Sequence, residues 1–138
     1  MGTPYEKIYG RFLNHTTDLN LTDLDDHTLN TMLKEWLHSA IVKTRTSSNL
    51  SHDDEKEIFN NDLSELDIEL LAMGMRLAWL DQRANSTEYT NLFIGGKEEK
   101  FYSPAAQLAE IRNLRADTLR EMQQLYTYET YVNNDYFD

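Results

Sequence analysis

The stretch Asp62–Ala84, "DLSELDIELLAMGMRLAWLDQRA", decides the fold. From Leu66 to Leu80 it is apolar on almost every face of a helix, which marks a central helix covered by several neighbours. Ser64 stands at the N-cap position with Asp67 at N3, and Leu63 and Ile68 are placed to form a hydrophobic staple. Gly74 interrupts this run at a propensity cost of about 1 kcal/mol relative to Ala. A close helix crossing at that point would compensate.

Helical patterns lie on both sides of this centre. Leu29, Met32, Leu33, Trp36, Leu37, Ala40 and Ile41 form a clean apolar stripe at helical spacing. Asp23, Asp25 and Asp26 precede it and Lys43 and Arg45 follow, in the order the helix dipole favours, so a helix is predicted from about Asp25 to Thr44. Near the start, "TPYE" reads as Thr3 N-cap, Pro4 at the first helical position and Glu6 at N3. Tyr5, Ile8, Tyr9, Phe12 and Leu13 then continue a short amphipathic helix to about Asn14. Ser103 and Pro104 announce a last helix, with Leu108, Ile111, Leu114, Leu119, Met122, Leu125 and Tyr126 in rhythm to about Thr130. Such a helix is roughly 40 Å long, more than a compact bundle of this size needs. The segment "TRTSSNLSHDDEKEIFNND" is polar and predicts a loop, with at most one helical turn around Asp54–Phe59.

The fold class expected is therefore mainly α. A helical bundle domain over residues 1–126 would carry a short hairpin or extended loop near 91–102, followed by an acidic, Tyr-rich C-terminal arm over 127–138. The 138 residues suffice for one domain with a real core. An aromatic fraction of 11%, with 8 Tyr, argues against wholesale disorder. No run of about 18 apolar residues suggests a membrane span. "MGTPYEKIYGRF" lacks a signal peptide's apolar core, and Glu6 breaks the myristoylation pattern that Gly2 begins. The lack of cysteine removes disulfides and thiolate metal sites and fits a reducing compartment. A net charge of −11 would repel a phosphate backbone, so specific nucleic-acid binding is not expected.

The stretch Asn91–Ala105, "NLFIGGKEEKFYSPA", superficially resembles a phosphate loop. It lacks the GxxxxGK[ST] spacing, and Glu98 and Glu99 follow Lys97 where their charges would oppose phosphate. "NLFI" and "KFY" are β-prone runs around a Gly turn, the signature of a hairpin. Its residues Phe93, Ile94, Gly95, Gly96, Lys97, Phe101 and Tyr102 form a candidate interface element. The aromatic flanks either pack on the bundle or face another subunit. In the arm, Tyr128, Tyr131, Val132, Tyr136 and Phe137 read either as a frayed helix end or as anchors for a partner, and docking is the preferred reading.

No catalytic, cofactor or metal residues are expected. His15, His27, His38 and His52 are scattered without HExxH spacing, and "HDDE" from His52 to Glu55 reads as a surface charge cluster. The run from Asp18 fails as a calcium loop at Asp23 and Leu29, where Gly and Glu are required. There is no GxSxG elbow, and Glu65, Asp67 and Glu69 read as a solvated acidic face, so an enzyme is not expected.

The segments "TPYEKIYGRFL", "WLHSAI", "NDLSELDIELLAMGMRLAWLDQ" and "NSTEYTNLFIGGKEEKFYSPAAQLAEIRNLR" together resemble head–tail connector, or neck adaptor, proteins of tailed phages and prophages of Gram-positive bacteria. The resemblance covers most of residues 3 to 120 and rests on packing and turn residues. It implies a virion protein, made in the host cytoplasm, that assembles as a homo-oligomeric ring, typically a dodecamer, beneath the portal protein. Such a ring forms part of the DNA exit channel, passes DNA without sequence-specific binding, and offers a platform to the next neck or tail component. The loop of "NLFIGGKEEKFYSP" is the element it implies as inter-subunit or channel-facing. An acidic channel wall suits DNA passage, because bound phosphates would impede it.

A rival reading is an acidic helical regulatory protein that binds a host factor, with DNA mimicry as one way of doing so. The helical register places Trp36 and Trp79 in the core. Truncating either to Ala is expected to cost about 3–5 kcal/mol, measurable by denaturant unfolding.

Overall fold

In a computed structural model of the chain, described over residues 2–15, 25–46, 49–94 and 104–134, the protein is mainly α. Side chains of 15, 86–94, 104 and 129–134 lie outside that description. The elements run β1 (Thr3–Pro4), α1 (Tyr5–His15), α2 (Asp26–Lys43), β2 (His52–Asp53), β3 (Ile58–Phe59), α3 (Glu65–Ile94) and α4 (Pro104–Asn134). Two compact units divide the chain, Met1–Arg76 and Leu77–Asp138, and the boundary falls inside α3.

The first unit is built around a small antiparallel sheet of strand order β1-β3-β2. Thr3 and Pro4 pair with Phe59 and Ile58, and His52 and Asp53 pair with the same two residues from the other side. Thr3 is thus a strand residue and not a helix cap. Its hydroxyl donates to the Asn61 carbonyl at 3.3 Å and accepts from the Leu63 amide at 2.9 Å. Pro4 has no amide to give, which suits an edge strand. The next amide, that of Tyr5, donates to the Glu57 carbonyl at 2.9 Å. Gly2 is needed at the edge of this sheet: its φ of 155° and the nearby Phe59 carbonyl leave no place for a Cβ.

Helix α2 starts and stops where its charges predict. Asp25 is the N-cap, accepting from the Thr28 amide at 3.2 Å, and Thr44 closes the other end. Its stripe buries Leu33, Trp36, Leu37 and Ala40. The predicted cap of α3 is also present, with Ser64 Oγ accepting from the Asp67 amide at 3.1 Å, and Leu63 and Ile68, the predicted staple pair, are both buried. The rings of Phe12 and Trp36 lie 5.6 Å apart, and those of Tyr5 and Phe59 5.2 Å apart. Aromatic contacts therefore join α1 to both α2 and the sheet.

Gly74 sits at the close crossing its position predicts. A Cβ there would collide with the Thr44 hydroxyl and lie 2.9 Å from Ala40 Cβ. The missing side chain thus lets the end of α2 approach α3 to backbone distance.

In the second unit, α4 buries Ile111, Thr118 and Met122, and α3 buries Leu80. Arg115 of α4 donates to Asp81 of α3 at 2.8 Å. Trp79 is only half-buried, with the Arg83 guanidinium 5.4 Å from its ring centre. The expected core role therefore holds for Trp36, at 4% exposure, and not in full for Trp79.

Three local expectations are corrected. The run Asn91–Ile94 is the last turn of α3 and not a strand, because elongating an existing helix needs no new nucleation and no Gly or Pro intervenes before Gly95. Among the described residues a hairpin lies at 52–59, where only a loop or a helical turn was expected. Likewise the first part of the arm is helical: α4 runs through Asn134, since residues 127–134 contain neither Gly nor Pro.

Substituting Gly74→Ala tests the crossing. Helix propensity alone favours the alanine by about 1 kcal/mol, whereas overpacking costs about 1–3 kcal/mol. A net loss of stability is expected in urea unfolding, with favourable coupling when Ala40→Gly is added.

Candidate functional site

The residues singled out from sequence as interface elements fall mostly outside the described part of the chain. Phe93 and Ile94 belong to the backbone of α3, while Gly95, Gly96, Lys97, Phe101 and Tyr102 lie outside the described residues. Tyr131 and Val132 belong to the backbone of α4, and Tyr136 and Phe137 lie outside the described residues. Tyr128 is described and is 57% exposed. Leu119, on the same helix, is 42% exposed.

These two side chains stand in a definite relation to the buried stripe of α4. Ile111, Thr118 and Met122 fall on one line along the helix, whereas Leu119 and Tyr128 are nine positions apart, about half a turn. They therefore flank the stripe on opposite shoulders. The expected acidic face at Glu65, Asp67 and Glu69 resolves differently. Asp67 is fully buried, while Glu65 and Glu69 hold Arg11 of α1 at 2.6 and 2.9 Å. These bonds, the one to Glu69 foremost, raise the Arg11 pKa, and the guanidinium lowers that of Glu65. This is an ion-pair clamp between α1 and α3.

Among the described residues, a dense polar constellation gathers around Asp54, in the turn between β2 and β3. The Asp53 carboxylate shapes that turn by accepting from the Glu55 and Lys56 amides at 2.9 and 3.3 Å. Glu57 closes it with a positive φ of 54°, an uncommon conformation for a residue with a side chain. The turn is pinned from two helices. Tyr5 of α1 donates its hydroxyl to Asp54 Oδ1 at 2.6 Å. From α2, His38 Nε2 lies 3.0 Å from the same oxygen, and Lys34 Nζ donates to the Asp54 carbonyl at 3.2 Å and lies 3.6 Å from Glu57. Lys34 and His38 are one helical turn apart, so α2 presents both to the hairpin.

His52, in β2, brings its Nε2 to 3.9 Å from Asp54 Oδ1, while its Nδ1 lies 2.7 Å from the Leu50 carbonyl. The imidazoles of His38 and His52 are 6.2 Å apart. The Tyr5 hydrogen bond, followed by that of His38, holds the Asp54 carboxyl down at about 2. Burial, reinforced by Asp54, raises the Tyr5 hydroxyl well above its usual range. Burial raises Tyr9 in the same sense, with Glu57 and Asp54 adding to it, and the buried Tyr9 hydroxyl has no hydrogen-bond partner among the described residues.

Reading the sequence as scattered histidines missed this cluster. His38 and His52 are separated by a polar loop, and their approach depends on a hairpin with no Asn-Gly or Gly-Gly signal. The spacing His52-x-Asp54, at a strand end, was the one local hint. No family model, curated protein or solved structure matches the chain.

The depressed Asp54 pKa sets the sign of a pH effect. Its folded value of about 2 lies below the ordinary carboxylate range near 3.9. The stabilisation is therefore complete above about pH 4 and is lost as pH falls toward 2. Asp54 is 48% exposed in its side chain, so the contribution is screened. Asp54→Asn is expected to be slightly less stable near pH 7. The difference from the parent should shrink between pH 4 and 2, as read by urea titration across that window.

Proposed function

We propose that this chain is a structural subunit of a tailed-phage neck, a head–tail connector that joins a ring on the portal protein and performs no catalysis. The observation that carries the reading is the pair of exposed apolar residues, Leu119 and Tyr128, on opposite shoulders of α4. A ring of identical copies closes through heterologous contacts, so each copy needs two different surfaces facing two neighbours. Large side chains exposed on both sides of one long helix provide a starting point for such contacts. Helix α4 has 31 residues and therefore extends about 46 Å, a length suited to contacts with more than one neighbour.

The charge is consistent with this role. At −11 per chain, a ring presents little that would retain a DNA backbone passing through it. The sequence resemblance to connector proteins points to the portal as the first partner and to a further neck or tail component as the second. The loop at Gly95–Tyr102 and the terminal residues Tyr136 and Phe137 are proposed as additional contacts.

Mixing the purified chain with a tailed-phage portal protein from the same genome should add a ring of density to the portal in electron microscopy. Leu119→Glu and Tyr128→Glu should each reduce ring occupancy while leaving the helical circular dichroism unchanged. A chain that never associates with the portal, yet displaces DNA from a host protein, would instead identify it as an acidic regulator.

A further inference from the structure

We propose that His38, His52 and Asp54 form a binding site for one divalent transition-metal ion, of which Zn2+ is the representative. One ligand atom from each residue lies within 4.8 Å of the other two. A tetrahedral zinc ion with bonds of about 2.0–2.1 Å holds its ligand atoms about 3.3 Å apart. The observed separations of 3.0 Å from His38 Nε2 to Asp54 Oδ1, and 3.9 Å from His52 Nε2, bracket that value. Small side-chain rotations suffice to seat an ion among them.

The surroundings favour ligation over a simple surface ion pair. The Leu50 carbonyl can only accept, so the His52 Nδ1 that faces it at 2.7 Å carries the proton in the neutral ring. Nε2 is then left as a lone pair directed toward Asp54. An imidazole oriented through its second nitrogen by a backbone carbonyl is a recurrent support for metal-ligating histidine. Asp54 is supported in the same way, because the Tyr5 hydroxyl occupies one lone pair of Oδ1 and orients the carboxylate. In the tautomer with its proton on Nδ1, His38 likewise turns an Nε2 lone pair toward the position between it and Asp54.

Charge and donor type select the class of ion. The turn carries Asp53, Asp54, Glu55 and Glu57 against Lys56, with Lys34 beside it, leaving a negative excess that a dication offsets. Two imidazoles and a single carboxylate suit zinc and its transition-metal neighbours better than Mg2+ or Ca2+, which favour all-oxygen sets. Three protein ligands leave a fourth position for water or for a group from a partner. The ion would clip the β2–β3 turn to α2, adding a metal-dependent fastening to the first unit.

The test is titration of the intact chain with Zn2+ by calorimetry, with thermal unfolding and histidine ring-nitrogen NMR as companion readouts. Saturable binding of one ion per chain is expected, with a Zn2+-dependent rise in Tm and shifts at Nε2 of both His38 and His52. His38→Gln and His52→Gln should each lower affinity by about tenfold or more, whereas His27→Gln should not. No saturable binding, binding undiminished in the His38→Gln, His52→Gln double variant, or Nε2 resonances unmoved by Zn2+ would each overturn the site. The NMR readout on the parent chain decides the matter even where a variant folds poorly.

Discussion

The first unit depends on a closure between the start of the chain and residues 58–63. Thr3 and Pro4 form one edge of the sheet, and the Thr3 hydroxyl bridges Asn61 and Leu63 just before α3 begins. Joining positions some 58 to 60 residues apart carries a loop-closure entropy that grows only slowly with length. The burial of Tyr5, Ile8, Phe12 and Phe59 behind that closure more than offsets it. Much else in the unit follows. The position of β3 places the Asp54 turn against Tyr5 and His38, and the anchored Leu63 fixes where the cap of α3 starts.

Charge in this unit is used locally despite the acidic excess of the whole chain. Arg11 is held by two glutamates one turn apart on α3, and Lys34 by the carbonyl and carboxylate groups of the hairpin turn. Both cations thus tie a helix to another element. The first unit thus ties its helices and hairpin together through charge, whereas the second carries exposed apolar side chains, Leu119 and Tyr128, on its long helix.

What was legible in the sequence followed local rules. Asp25 and Ser64 cap the helices they precede, because a short polar side chain one residue before an apolar stripe has few better uses. Gly74 announced a close crossing, because a helix rarely keeps a glycine in its interior without a neighbour at backbone distance. The errors came where two local rules competed. "TPYE" satisfied a capping box, yet Thr3 found two stronger partners far along the chain. "NLFI" had β propensity, yet a helix already formed extended through it to the first glycine.

The sequence by itself determined the helical class, the limits of α2, the start of α3 and the glycine crossing, since each follows from spacing within a few residues. Only the tertiary structure decided the sheet, the second role of Thr3 and the cluster of His38, His52 and Asp54. Strand pairing joins residues by hydrogen bonds that leave no periodic mark in strands of two residues each. A hairpin turned by Asp53 and Glu57 instead of glycine hides its direction until its partners are in place. The approach of two histidines across a polar loop is a consequence of that turn, and no pattern along the chain records it.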